Sequence, residues 1–228
     1  MLKDLLKINS LGVKFYVLRD SKGLYLIDCG FIGGRQLLQR ALKKRGWDSC
    51  PIIGIIVTHG HLDHILNVGR LAQETGAWIA APRLDESHYS GCPKYNGLAR
   101  ITGLLEAIGR PLLGFRKFTP TRLLDNGDFL DIWDGLTVIH LPGHTAGHSG
   151  FYCEQRKILF CSDLFASFRH FSHLPPRVFN HDTTEIPKSV AKALELDLVG
   201  VLPNHCDHSN PEVHLTRLRT INFNKKDA

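Results

Sequence analysis

Strand-sized apolar runs alternate with stretches of helical spacing along this chain. Val13–Leu18 and Leu24–Asp28 are apolar runs separated by Arg19-Asp20-Ser21-Lys22-Gly23, a hairpin pattern. After Gly33-Gly34, Leu37, Leu38, Ala41 and Leu42 share one face of a helix predicted to reach about Arg45, with Gly46 as its stop. Ile52–Val57 is rich in β-branched residues and predicts a buried strand. A helix over Ile65–Thr75, ended by Gly76, and a short strand at Trp78–Ala80 follow. Residues 82–116 mix helical patches such as Leu98–Ile108 with Gly and Pro, which fits either a lid or ordinary surface helices. Strands are predicted at Arg122–Leu124, Phe129–Trp133 and Leu136–Leu141, separated by Asn126-Gly127 and Asp134-Gly135 turns, then a hairpin of Gly150–Cys153 and Ile158–Cys161. A helix at Ile186–Leu196, a strand at Leu198–Leu202 and a helix at Glu212–Arg219 complete the pattern. Strands in both halves, with helices between and after them, predict an α/β fold of two sheets packed face to face with helices outside. No linker or repeat interrupts it, so one domain over residues 1–228 is expected.

Composition narrows the class. With 43% hydrophobic and 22% charged residues the chain is ordinary globular protein. No run approaches the roughly 18 apolar residues of a membrane span, so no membrane partner is expected. The opening MLKDLLKINS puts charges among its leucines and lacks the apolar core of a signal peptide. The six cysteines form no C-x-x-C pair, which favours free thiols in a reducing cytoplasm. The net charge of +6 would attract anionic substrates or nucleic acid, but the basic residues are dispersed, with Lys43-Lys44-Arg45 the densest cluster. A mildly basic surface is the better reading, and nucleic acid is not the favoured partner.

The thirteen histidines say more. His59, His61, Asp63 and His64 fall within six residues, after a buried strand and before a helix. In extended backbone alternate side chains point the same way, so His59 and His61 can converge on one cation. Asp63 and His64 lie where the chain turns into the helix and can face a second. Gly60 lets the backbone pass close to the ions. Imidazole and carboxylate suit zinc, and also iron or manganese. Three further strands end in polar loops that each deliver one His or Asp: Leu141-Pro142-Gly143-His144-Thr145, Cys161-Ser162-Asp163 and Leu202-Pro203-Asn204-His205.

In these elements the sequence resembles the metallo-β-lactamase-fold hydrolase superfamily. His59, His61, Asp63 and His64 match its H-x-H-x-D-H motif, Pro142-Gly143-His144-Thr145 its P-G-H-T element, and Asp163 and His205 its later aspartate and histidine. Leu26-Ile27-Asp28-Cys29-Gly30 matches its early L-I-D-x-G element. The resemblance covers about residues 13–206 and implies a four-layer αβ/βα sandwich. It implies one metal on His59, His61 and His144, a second on Asp63, His64 and His205, and Asp163 bridging them, with Asp28 as support. Two divalent ions, zinc first, would share and acidify a water that attacks the substrate. Asp63 would orient that nucleophile or take its proton. The chain departs from the family at Ser162, Asn204 and Cys206, where Gly is common. His148 is expected to brace a loop and Cys206 to be a bystander. His170, His173 and His181 lie in a loop where the family often contacts substrate.

Among branches of the family, true β-lactamases commonly carry Cys or Ser at the position of Asp163, which argues against β-lactam hydrolysis as the main activity. The electron-transfer branch has Glu in place of His61. Nuclease branches carry large additions that 228 residues leave little room for. Glyoxalase II-like thioesterases have a close match of the site but a C-terminal helical domain, whereas only 23 residues follow His205. The leading expectation is therefore a compact dinuclear hydrolase of a small ester, thioester or lactone. The alternatives are a phosphodiesterase or nuclease, β-lactam hydrolysis, a mononuclear-iron sulfur dioxygenase and, least favoured, a non-catalytic metal-binding module.

Overall fold

Strands buried along their whole length dominate the computed structural model, which describes residues 3–221. Residues 1–2 and 222–228 of the expected 1–228 domain lie outside the described residues. The chain forms two units, Met1–Pro93 with Leu105–Leu124 and Lys94–Leu104 with Asp125–Ala228. Each is built around its own sheet.

The first unit holds a six-stranded mixed sheet in the order β1-β2-β3-β4-β5-β6. β1 (Leu5–Ser10), β2 (Val13–Arg19) and β3 (Leu24–Ile27) run antiparallel; β4 (Ile52–Ile56), β5 (Trp78–Pro82) and β6 (Arg122–Leu124) continue parallel to β3. β1 was not expected from the pattern. It pairs with β2 from Leu5↔Leu18 to Ser10↔Val13, and the connecting Leu11 and Gly12 take φ of 51° and 89°. That is the two-residue hairpin geometry usually announced by Asn-Gly, here disguised by a leucine. Helix α1 (Gly34–Arg45) ends as expected at Gly46, which is left-handed at φ 70°. The helix expected over Ile65–Thr75 is two helices, α2 (Leu62–Ile65) and α3 (Val68–Thr75). They part at Asn67, whose amide donates to the carbonyls of Cys29, Gly30 and Phe31. Leu38 and Leu42 of α1 and Val68 and Leu71 of α3 bury against Phe15, Val17, Leu26 and Ile55 of the sheet. α4 (Glu86–Tyr89) and α5 (Arg100–Leu112) fill the ambiguous 82–116 segment.

The second unit holds a five-stranded sheet in the order β13-β10-β9-β8-β7. β7 (Phe129–Leu130), β8 (Leu136–His140), β9 (Ser149–Cys153) and β10 (Ile158–Ser162) are antiparallel, and β13 (Gly200–Pro203) is parallel to β10. The strand expected over Phe129–Trp133 stops early because Trp133 and Asp134 turn left-handed, at φ 50° and 67°. A two-stranded ribbon, β11 (Ala166–Ser167) with β12 (Ser172–His173), follows β10. Helices α6 (Ile186–Leu194) and α7 (Pro211–Arg219) supply Ile186, Val190, Leu215 and Leu218 to this unit's core. No described helix is long and apolar enough to cross a membrane.

Candidate metal centre

In the first unit the chain leaves β4 and passes through Thr58-His59-Gly60-His61 before α2 begins at Leu62. His59 and His64 are fully buried and their rings lie 4.1 Å apart; His59 and His61 lie 5.0 Å apart. His61 is still extended (φ −70°, ψ 146°), while Asp63 and His64 sit in the first turn of α2.

Asp28 organises this cluster. One carboxylate oxygen accepts the Thr58 N–H at 2.8 Å; the other meets Thr58 Oγ1 at 2.8 Å and His64 Nδ1 at 2.9 Å. A carboxylate only accepts, so His64 carries its proton on Nδ1 and presents Nε2 as the donor lone pair. The Thr58 hydroxyl spends its hydrogen on Asp28, so at 3.0 Å from His59 Nδ1 it accepts, which fixes His59 the same way. Asp28 itself is left-handed, φ 59°, at the end of β3. It was expected as a support; Thr58 was not singled out, although it stands beside the motif.

The backbone of the same loop is held by four polar residues that sequence reasoning passed over. Asp85 accepts the Gly60 N–H at 2.8 Å, and Glu106 Oε1 accepts the Leu62 N–H at 2.8 Å. His88 Nδ1 donates to the Gly60 carbonyl at 3.0 Å. Arg110 donates to Glu106 Oε2 at 3.1 and 2.6 Å and to the His88 carbonyl at 2.9 Å. All four are buried. Burial pushes the His88 imidazolium down against the upward pull of Asp85 and Glu106, which favours a neutral ring. A Cβ on Gly60 would lie 2.4 Å from His88 Cβ and Cγ, so only glycine admits this contact.

In the second unit three loops deliver His144, Asp163 and His205. His144 Nδ1 meets Asn180 Oδ1 at 3.0 Å, and Asn180 Nδ2 donates to the Pro175 carbonyl at 2.7 Å. The amide is thereby oriented with oxygen towards the ring, and His144 also presents Nε2. Asn180 was missed, and no spacing in its loop would have disclosed it. Gly143 is left-handed at φ 128°, and a Cβ there would meet Ile186 Cγ1 at 2.6 Å. His148 braces the loop as expected, its Nδ1 donating to the Leu141 carbonyl at 2.8 Å. Asp163 is buried, with Oδ2 lying 3.4 Å from His144 Nε2 and 3.1 Å from His205 Nε2. Ser162 takes φ 49° at the bulge where β10 meets β13, which explains why glycine is common there. The His205 loop is tied to β11, with Ser167 N–H donating to the His205 carbonyl and Asp207 N–H to the Ser167 carbonyl. Cys206 is buried, its Sγ 3.0 Å from the Pro203 carbonyl. His170, His173 and His181 are exposed.

The first unit thus offers donor atoms of His59, His61, Asp63 and His64, and the second those of His144, Asp163 and His205. Five imidazoles and two carboxylates are a borderline donor set that fits zinc, iron or manganese.

The metallo-beta-lactamase superfamily model matches residues 9–201. The chain is 31% identical over 149 residues to the hydroxyacylglutathione hydrolase GloC of Haemophilus influenzae, 64% of this chain and 62% of that protein. Among the curated hydroxyacylglutathione hydrolases that it matches, the chain spans between 38% and 62% of their length. In structure it superposes on a metallo-beta-lactamase family protein from Thermus thermophilus with a TM-score of 0.74 at 19% identity, covering 96% of this chain and 78% of that one. TTHA1623, solved in a di-iron-bound form, gives 0.68 at 22% identity over 93% and 96%. These neighbours share the fold of two mixed sheets with helices. The chain belongs to the metallo-beta-lactamase superfamily.

Proposed function

We propose that this protein is a metal-dependent hydrolase that cleaves a small ester, thioester or lactone, and that residues 1–228 act as one domain. His59, His61 and His144 would hold one divalent ion, Asp63, His64 and His205 a second, and Asp163 both. The placement of Asp163 carries this reading: a single carboxylate oxygen faces the Nε2 atoms of His144 and His205, the two histidines assigned to different ions. Bound ions would acidify a water and polarise the scissile carbonyl.

The two carboxylates divide the remaining work by exposure. The Asp163 side chain is 7% exposed and suits a shared ligand; that of Asp63 is 30% exposed and can meet solvent and substrate. Asp63 is therefore the group that takes a proton from the attacking water and passes it to the leaving oxygen or sulfur. The buried thiols do not compete as nucleophiles. Burial, reinforced by Asp28, pushes the Cys29 thiol well above its ordinary value, and burial does the same to Cys161. The thioester-cleaving relatives implied by the name hydroxyacylglutathione hydrolase support the substrate class.

Elemental analysis should find two ions per chain, zinc first. The Asp63→Asn enzyme, assayed on a lactone and thioester panel with metal measured on the same sample, should lose about 10²–10⁴-fold in kcat with KM little changed. Near-normal kcat at full metal content would remove Asp63 from the proton transfer. One iron per chain, or turnover confined to phosphodiesters, would overturn the wider reading.

A further inference from the structure

Helix α5 is amphipathic in the inverted sense. Its polar residues Thr102, Glu106 and Arg110, spaced i, i+4, i+8, are buried. Its apolar residues face out: Ile101, Leu104, Leu105, Ile108 and Leu112, with Leu98 just before the helix, are 54–78% exposed. Between Ile101 and Leu113 every exposed side chain is apolar, because the two charged residues of that stretch, Glu106 and Arg110, are on the inward face. The six side chains leave roughly 700 Å² of apolar surface open, more than the largest patch of a typical monomer and close to one partner's share of a standard interface.

We infer that α5 is the surface through which two copies of this chain pair. The patch lacks the rows of Lys and Arg that edge the apolar face of a lipid-binding helix; its flanking positions are Ala107, Gly109 and Pro111, and Arg100 at its start is the one exposed charged residue of α5. It does have those of a self-complementary contact. A two-fold pair brings the same patch against itself, and a face without charges meets its own copy without repulsion. Run antiparallel, the two helices place the exposed Arg100 of each copy beside the carbonyl end of the other, where a cation is favoured. Helix α5 spans about 20 Å, enough for ridge-into-groove packing along its whole length.

The pairing reaches the candidate metal centre from behind. The inward face of α5 carries Glu106 and Arg110, which hold Leu62 N–H and, through His88, Gly60. A partner on the outer face stiffens the helix that fixes this loop.

Sedimentation velocity of the full chain over a dilution series tests the proposal. The wild type should sediment as two 25.6-kDa chains. Ile108→Asp and Leu104→Asp should each weaken pairing about 100-fold, since each buries an unpaired charge at the centre of the contact. Their far-UV circular dichroism should be unchanged, because both residues are exposed in the single chain. In a Cys92→Ser background, which removes the exposed native thiol, Leu105→Cys lies at the midpoint of the stripe and should cross-link to its own copy on oxidation. A wild type that sediments as one chain, or Asp variants that pair as tightly as wild type, would overturn the inference. Binding of a single-chain species to phosphatidylglycerol vesicles would overturn it in favour of a lipid surface.

Discussion

Glu106→Gln asks whether the inward face of α5 holds the histidine loop. The substitution keeps the shape and the acceptor for Leu62 N–H. It removes the charge facing Arg110, whose Nε and Nη2 lie 3.1 and 2.6 Å from Glu106 Oε2. With its one oxygen on Leu62 N–H, glutamine would turn amide hydrogens towards a buried guanidinium. Arg110 would keep the His88 carbonyl at 2.9 Å and the Phe115 ring, 4.5 Å away. Removing one partner of a buried pair costs about 3–5 kcal/mol; with those residual contacts, the lower end, about 3 kcal/mol, is expected. For a chain of this size that is a fall in Tm of roughly 6–12 °C. The control is Glu74→Gln, which breaks the exposed Arg35–Glu74 pair and should cost under about 1 kcal/mol.

Urea unfolding of both variants measures the difference, and zinc titration provides a second readout. If the loop loses its hold, zinc affinity should fall about 10–100-fold, the usual effect of removing a ligand's supporting group. The double variant Glu106→Met with Arg110→Met removes the charge problem but leaves Leu62 N–H and the His88 carbonyl without these partners. Each such buried group costs about 1–3 kcal/mol, so the double variant should stay well below wild type. A loss in Glu106→Gln no larger than that of Glu74→Gln, or full recovery in the double variant, would refute the clamp.

Asp163→Asn should lower metal content from two ions towards one and abolish most turnover while circular dichroism is retained; full occupancy and full rate would exclude a shared ligand. Asn180→Leu removes the acceptor that fixes the His144 ring and should weaken metal binding about 10–100-fold, read by competition with a chromogenic chelator; unchanged affinity would show that the ring is held otherwise. Burial alone would raise the Asp207 carboxyl, but Ser209 and Arg217 outweigh it and hold it at about 2. The stability it contributes is therefore present above the unfolded value of about 4 and disappears as pH falls from there towards about 2. The stability gap between wild type and Asp207→Asn, measured by urea unfolding, should be constant near neutrality and close on acidification; a gap that widens in acid would refute the assignment.

The sequence disclosed the parts of the site that are contiguous. His59, His61, Asp63 and His64 stand in six residues, and the strands before Asp28, His144, Asp163 and His205 are plain apolar runs. What it hid, it hid for physical reasons. β1 was missed because Leu11 occupies a left-handed position that normally carries Asn or Gly. The 82–116 segment was ambiguous because α5 has helical periodicity but turns its apolar stripe outward; the usual rule that the apolar face marks the core points the wrong way there. Asp85, His88, Glu106 and Arg110 look like ordinary surface residues until that inversion is known. Asn180 lies in a loop between a 3-10 turn and α6, where no period exists to be read.

These hidden residues have one thing in common: each holds a candidate ligand's ring, or the backbone beside it, without itself offering a donor atom to the centre. An imidazole offers one nitrogen to a metal only if the other is spoken for, and a ring free to flip or exchange tautomers offers neither reliably. His64, His59 and His144 have Nδ1 engaged by Asp28, Thr58 and Asn180 respectively, so in all three it is Nε2 that is presented. Asp28 governs two of the three, one directly and one through a hydroxyl with a single hydrogen to give. Asp85, His88 and Glu106 do for the backbone what Asp28 does for the rings, holding Gly60 and Leu62 on either side of His61. A motif of four candidate ligands is thus held by at least as many residues that offer it no donor atom. Those residues are dispersed because each approaches its ligand from a different element: β3, the turn after β5, α4, α5 and the loop before α6.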